Sequence, residues 1–91
     1  MKRVLLIDDF RDFDDVTLIA RTGEKGIEIL KDIDNIDLLY LDHDLGDGIS
    51  GYDVMCWLEN NPYALPTEIV CVSANPVGRD RINMVIKKLY E

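Results

Sequence analysis

Two groups of acidic residues each close an apolar run. Asp8 and Asp9 follow VLLI, and Asp42, His43 and Asp44 follow LLYL, with Asp47 beyond. Carboxylates brought within a few ångströms of one another resist full ionisation: either one takes up a proton or a bound cation cancels the repulsion. An all-oxygen donor set, with no cysteine and no histidine pair beside it, suits Mg²⁺ better than zinc, with Mn²⁺ and Ca²⁺ as alternatives. Mg²⁺ also favours one or two carboxylates combined with water and a substrate phosphate. For Asp8-Asp9 alone, a solvated strand end or a helix N-cap is the competing reading. A second acidic group ending another strand tips the balance toward a cation.

An anion site is the natural counterpart. The stretch SANPVGRDR puts the Ser73 hydroxyl, the Asn75 amide and free backbone N–H groups at a strand-to-helix turn, with Arg79 and Arg81 directly after. Helix N-termini attract anions through those N–H groups and the dipole, and guanidinium forks match phosphate oxygens. Ordinary capping by Asn75, with Asp80 in the first turn, is the alternative. His43, the single histidine, is a candidate acid, base or ligand. Its other reading is a hydrogen-bonded ring turned away from the carboxylates, because neighbours on an extended chain face opposite ways. Arg11 either reaches a phosphate or pairs with Asp14 or Asp15.

The elements that must position these groups follow from periodicity. Val4–Ile7, Val16–Ala20, Leu38–Leu41 and Ile69–Val72 are short, β-branched or leucine-rich runs of the kind buried in parallel sheets. Between them the spacing turns helical: Ile27, Ile29, Leu30 and Ile33 follow Thr22-Gly23-Glu24, and Val54, Met55, Trp57 and Leu58 follow Gly51. A last helix starting near Gly78 carries Ile82, Val85, Ile86 and Leu89 on one side. The order β, β, α, β, α, β, α predicts an α/β fold: an open parallel sheet of about four strands with helices on both faces. In such sheets ligands bind beyond the carboxyl ends of the strands, where the acidic groups and Ser73 fall. The link from Asp8 to Asp15 is short for a parallel crossover, so a loop or a single helical turn is expected there.

Bulk properties narrow the partners. A chain of 91 residues with 47% hydrophobic content is one domain, residues 1–91, with one modest core. A formal net charge of −8 disfavours duplex nucleic acid and anionic lipid, but not a small anion held through a metal. Cys56 and Cys71 sit in apolar segments without zinc or redox spacing and read as core thiols in a reducing cytoplasm. The N-terminus lacks a signal-peptide core, and no run reaches membrane-spanning length. Trp57 and Tyr52 could belong to a dimer face, although their helical spacing favours packing.

The segments VLLIDDF, LLYLDHDLGDGISGYDV and IVCVSANP resemble the receiver domain of two-component response regulators over nearly the whole chain. A narrower resemblance is to the cyclic-phosphate processing receiver domain of bacteria and phages. It rests on DDxR at Asp8–Arg11, DHDLG at Asp42–Gly46, GYD at Gly51–Asp53 and SANPVGR at Ser73–Arg79. This likeness implies a truncated, flavodoxin-like receiver fold with strand order 2-1-3-4. The receiver resemblance implies Mg²⁺ on Asp8, Asp9 and Asp42, with Asp42 also the phosphoryl acceptor, the Asp44 carbonyl as a further ligand, and the Ser73 hydroxyl facing the phosphoryl group. Against an ordinary receiver, the first helix is absent, Gly46 replaces a proline, and no fifth strand supplies its lysine. Against the narrower family, Val72 stands where a histidine often precedes Ser-Ala-Asn.

On these grounds the expected function is Mg²⁺-dependent binding, and processing, of a phosphate ester or cyclic phosphate of a nucleotide in the cytoplasm of a bacterial or phage-infected cell. Asp42, His43 and Asp44 are the expected catalytic residues, and Arg11, Ser73, Asn75 and Arg79 the expected phosphate grip. The alternatives are a signalling receiver phosphorylated on Asp42, and a degenerate receiver that serves as a contact module for a protein partner or a second copy.

Overall fold

Val4–Ile7 (β1) is buried along its whole length, as an uninterrupted apolar run in a central parallel strand requires. In this computed structural model, which describes residues 2–91, β1 pairs in parallel with Leu18–Ala20 (β2) and with Leu38–Leu41 (β3). Glu68–Cys71 (β4) pairs in parallel with β3, giving the expected order β2-β1-β3-β4. The edge strands are the partly exposed ones, and both are slightly displaced from their expected bounds. β2 starts at Leu18 because Val16 is drawn into a turn, its N–H donating to the Phe13 carbonyl.

Each helix begins at a residue able to cap it. Thr22 accepts from the Lys25 N–H at the head of Gly23–Asp32 (α1). Ser50 and Asp53 form a reciprocal capping box on Gly51–Asn60 (α2). Asn75 accepts from the Val77 and Gly78 N–H groups at the head of Pro76–Tyr90 (α3). That helix starts ahead of the expected Gly78 because proline suits the first helical position.

Connection handedness decides which face each element covers. From β2 to β3 and from β3 to β4 the chain moves the same way across the sheet, so right-handed crossovers put both helices on one face. The three helices accordingly lie side by side, α1 against α2 and α2 against α3. Four parallel strands and three helices were expected and are present; the expected second helical layer is instead a loop. From β1 to β2 the chain moves the opposite way, so residues 8–17 pass over the other face as a loop, one of the two forms expected there.

Side chains alternate accordingly. Leu5, Ile7, Leu39 and Leu41 meet Leu30, Val54, Met55, Leu58 and Ile82 in the main core. Each such buried side chain contributes about 1.5–3 kcal/mol. On the loop face, Phe13 packs over Tyr40 with ring centroids 4.8 Å apart, and the Tyr40 hydroxyl donates to Asp15 Oδ2 at 2.8 Å. Trp57 and Tyr52 pack half-buried against the core, and Cys56 and Cys71 are free and half-buried. No helix among the described residues is long and apolar enough to cross a membrane.

Candidate metal centre

Register alone brings the acidic groups together. Ile7 lies opposite Leu41 on one side and Ala20 on the other, and Leu41 lies opposite Cys71. The next row beyond the strand ends is therefore Arg21, Asp8, Asp42 and Val72. The ladder runs into it: the Asp8 N–H donates to the Ala20 carbonyl, and the Asp42 N–H to the Ile7 carbonyl. By strand alternation this row faces the loop side, with Leu6 and Tyr40.

Asp8 is fully buried yet fully satisfied. Its Oδ1 accepts from the Phe10 N–H at 3.0 Å and the Arg11 N–H at 2.9 Å; its Oδ2 accepts from Arg11 Nη1 at 2.9 Å. Burial pushes this carboxyl up, but the two backbone donors and the guanidinium outweigh it and hold Asp8 below the ordinary carboxylate range. Asp42, 4% exposed, is in the opposite condition. Burial and then the charge of Asp8 push it up, against the Ser73 hydroxyl, Arg11 and the His43 N–H. The His43 N–H donates to Asp42 Oδ1 at 2.8 Å, and Arg11 Nη1 lies 3.4 Å from Asp42 Oδ2.

Exposed Asp9 completes the group: one oxygen each from Asp8, Asp9 and Asp42 lie within 4.8 Å of one another. This all-oxygen donor set has the chemistry that a small hard cation such as Mg²⁺ would need. Arg11 does not pair with Asp14 or Asp15, the sequence-based alternative. The loop over the second face brings it back onto Asp8 and Asp42, because Asp8 anchors its backbone.

His43 and Asp44 belong to a neighbouring but separate group. The His43 ring points to the helix side, as alternation predicts, and rests on the first turn of α3. A Cβ on Gly78 would fall 2.3 Å from its ring. His43 Nδ1 lies 3.0 Å from Asp44 Oδ1, and Asn75 Nδ2 donates to Asp44 Oδ2 at 3.4 Å. The hydrogen bond from His43, then that from Asn75, holds the Asp44 carboxyl low. Ser73, buried, links the two groups: its hydroxyl acts to lower the Asp42 carboxyl and accepts from the Asn75 N–H at 3.1 Å. Arg79 is exposed on α3 and makes no ion pair among the described residues. Asn75 caps α3 through Oδ1 while its amide nitrogen faces Asp44.

Three further contributors are Arg21, which carries little sequence signal, and Gly51 and Gly78, which lie within the GYD and SANPVGR motifs. Arg21 Nη1 donates to the Asp8 carbonyl at 3.3 Å and the Arg11 carbonyl at 2.6 Å, fastening the loop that carries Arg11. Only the β1–β2 register could have pointed to it. Gly51 and Gly78 permit close approach: a Cβ on Gly51 would fall 2.0 Å from the Asp42 carbonyl oxygen.

With this geometry in hand, the comparisons are specific. The cyclic-phosphate processing receiver domain family matches residues 3–88. Among solved structures, a fusion carrying amino acids 181–211 of the yeast Spc42 trimeric coiled coil aligns at 20% identity and a TM-score of 0.72. It covers 93% of this chain, which spans 63% of that one. The MaeR response regulator bound to beryllium trifluoride aligns at 19% identity and a TM-score of 0.67, covering 94% of this chain and 79% of that one. These likenesses concern the fold. No curated protein matches the chain.

Proposed function

The chain belongs to the cyclic-phosphate processing receiver domain family, and from that premise we propose that it binds a phosphate ester or cyclic phosphate of a nucleotide in a Mg²⁺-dependent manner and hydrolyses it. The supporting observation is the convergence of Asp8, Asp9 and Asp42 oxygens within 4.8 Å, beside the Ser73 hydroxyl and the start of α3. Carboxylates of Asp8, Asp9 and Asp42 hold the Mg²⁺, which when bound would polarise a phosphoryl oxygen or acidify a water.

The remaining work falls to the chain's own groups. Ser73 donates its hydroxyl to a phosphoryl oxygen. The amide nitrogen of Asn75 and the guanidiniums of Arg79 and Arg11 receive the other oxygens. His43, oriented at Nδ1 by Asp44, leaves Nε2 to hold or release a proton. Val72 puts an apolar side chain where the resemblance implies a histidine, which leaves His43 as the one imidazole near the site, seated on the helix side against Gly78.

The test is incubation of the purified protein and Mg²⁺ with 2′,3′-cyclic and linear nucleotides, with Asp42→Asn as control. Turnover or Mg²⁺-dependent binding that vanishes in the variant supports the reading; neither in the wild type removes it.

A second reading is favoured by one contact: Asp42, the acceptor position of a receiver, has the Arg11 guanidinium 3.4 Å away as a candidate counter-charge for a phosphoryl group. On this reading Asp42 attacks a small phosphodonor and the domain signals by its change of charge. Intact mass after exposure to acetyl phosphate and Mg²⁺ separates the two, because a persistent added phosphoryl group favours signalling.

A further inference from the structure

Arg11 lies where the proposed ion must go. Its Nη1 is 2.9 Å from Asp8 Oδ2 and 3.4 Å from Asp42 Oδ2, so one nitrogen spans two of the three carboxylates. The other Asp8 oxygen already accepts two backbone N–H groups. Asp8 Oδ2 is therefore the oxygen available to a cation, and the guanidinium holds it. A divalent ion ligated there would sit within a few ångströms of Nη1 and be strongly repelled. We infer that Arg11 is a tethered cation that occupies the divalent-ion position between Asp8 and Asp42, and that the ion binds by displacing the Arg11 side chain.

The local structure permits this exchange without unfolding the loop. The Arg11 backbone stays fastened through its own N–H to Asp8 Oδ1 and through its carbonyl to Arg21. Its side chain is 27% exposed. The guanidinium carbon already lies over the Phe10 ring, 71% exposed, at 5.1 Å from its centroid, so a shift across the outer face of that ring frees the carboxylates while keeping the cation–π contact. Displaced there, the guanidinium stays at the rim, ready for the anion that the metal holds. Ion entry thus converts Arg11 from a partner of carboxylates into a partner of phosphate.

This inference rests on the metal-binding reading, and the experiment separates the two. Mn²⁺ affinity is measured by calorimetry for wild type and Arg11→Gln, and the Arg11 guanidinium ¹⁵N signals of the wild type are followed by NMR during Mg²⁺ titration. The variant should bind Mn²⁺ about ten-fold more tightly or better, since the ion no longer breaks a charge-assisted pair. In the wild type the Arg11 Nη signals should be resolved by hindered rotation at first and collapse on saturation with Mg²⁺. Wild-type Mn²⁺ binding with no gain in Arg11→Gln, or with guanidinium signals that ignore Mg²⁺, overturns displacement while leaving the metal site standing. Silence of both proteins at millimolar metal overturns both. The wild-type NMR arm holds even if the variant folds poorly.

Discussion

Replacing Asp42 by asparagine should stabilise the metal-free protein while removing its response to Mg²⁺. Asp42 is 4% exposed and shares a 4.8 Å cluster with Asp8 and Asp9. At an effective dielectric of about 20, a like charge at 4.8 Å repels it by about 3.5 kcal/mol, and Arg11 at 3.4 Å attracts it by about 5 kcal/mol. Repulsion from two carboxylates, about 7 kcal/mol together, therefore exceeds the attraction to one guanidinium, and the desolvation of a buried carboxylate is left uncompensated. Asparagine removes that cost and keeps an acceptor for the His43 N–H. A gain of about 1 kcal/mol is expected, a rise in Tm of about 4–8 °C for a domain of this size. Mg²⁺ reverses the ranking. At 100 times its Kd a ligand adds about 2.7 kcal/mol to a protein that binds it, so the wild type should overtake the variant. Calorimetric melts of both proteins, with and without Mg²⁺, provide the measurement. A variant less stable than wild type without metal, or one gaining as much from Mg²⁺, would refute the reasoning.

Gly78→Ala would drive a methyl group 2.3 Å from the His43 ring, so it should cost about 1–3 kcal/mol and shift the His43 NMR signals, with Mn²⁺ affinity unchanged. Asn75→Ala removes the α3 cap and should lower stability by about 1 kcal/mol in urea melts, while loosening Asp44. Acid should act through Asp8 and Asp42 with opposite signs. The depressed Asp8 carboxyl contributes stability above the ordinary carboxylate pKa and loses it as pH falls through its lower folded value. The raised Asp42 carboxyl favours the fold below the ordinary value and loses that contribution as pH rises through its folded value. Urea midpoints against pH should therefore fall steeply only on the acid side of about pH 4, and Asp8→Asn should flatten that limb.

Most of the fold was legible because short apolar runs ending in acids and helical runs beginning at cappable residues are local signals. Thr22, Ser50 and Asn75 stand at helix starts for reasons visible in sequence. The partnership of Asp8 with Asp42 followed once both were read as strand ends. Strand alternation already set Asp42 and His43 on opposite faces; what the sequence left open was which face each connection covers. Asp42 and His43 are adjacent in the chain yet serve different groups, one under the loop and one against Gly78. Arg21 acts through tertiary distance, which no local pattern encodes, and the motifs holding Gly51 and Gly78 do not by themselves show the close approach those glycines permit.

The shortness of the β1–β2 connection links fold and chemistry. A helix in that position would lay an apolar stripe on Val4 and Leu6 and carry its polar groups outward. The extended loop covers the same face with a few residues, Phe13 among them, and turns back at Asp8, so Arg11 hangs over the carboxyl ends of β1 and β3. Chain direction across the sheet reverses at those two strands, which is where an open parallel sheet leaves its crevice. A single guanidinium there cannot neutralise three carboxylates, so the pocket keeps an excess of negative charge suited to a divalent ion. The same guanidinium, tethered beside it, makes the pocket tolerable to the fold before any ion arrives.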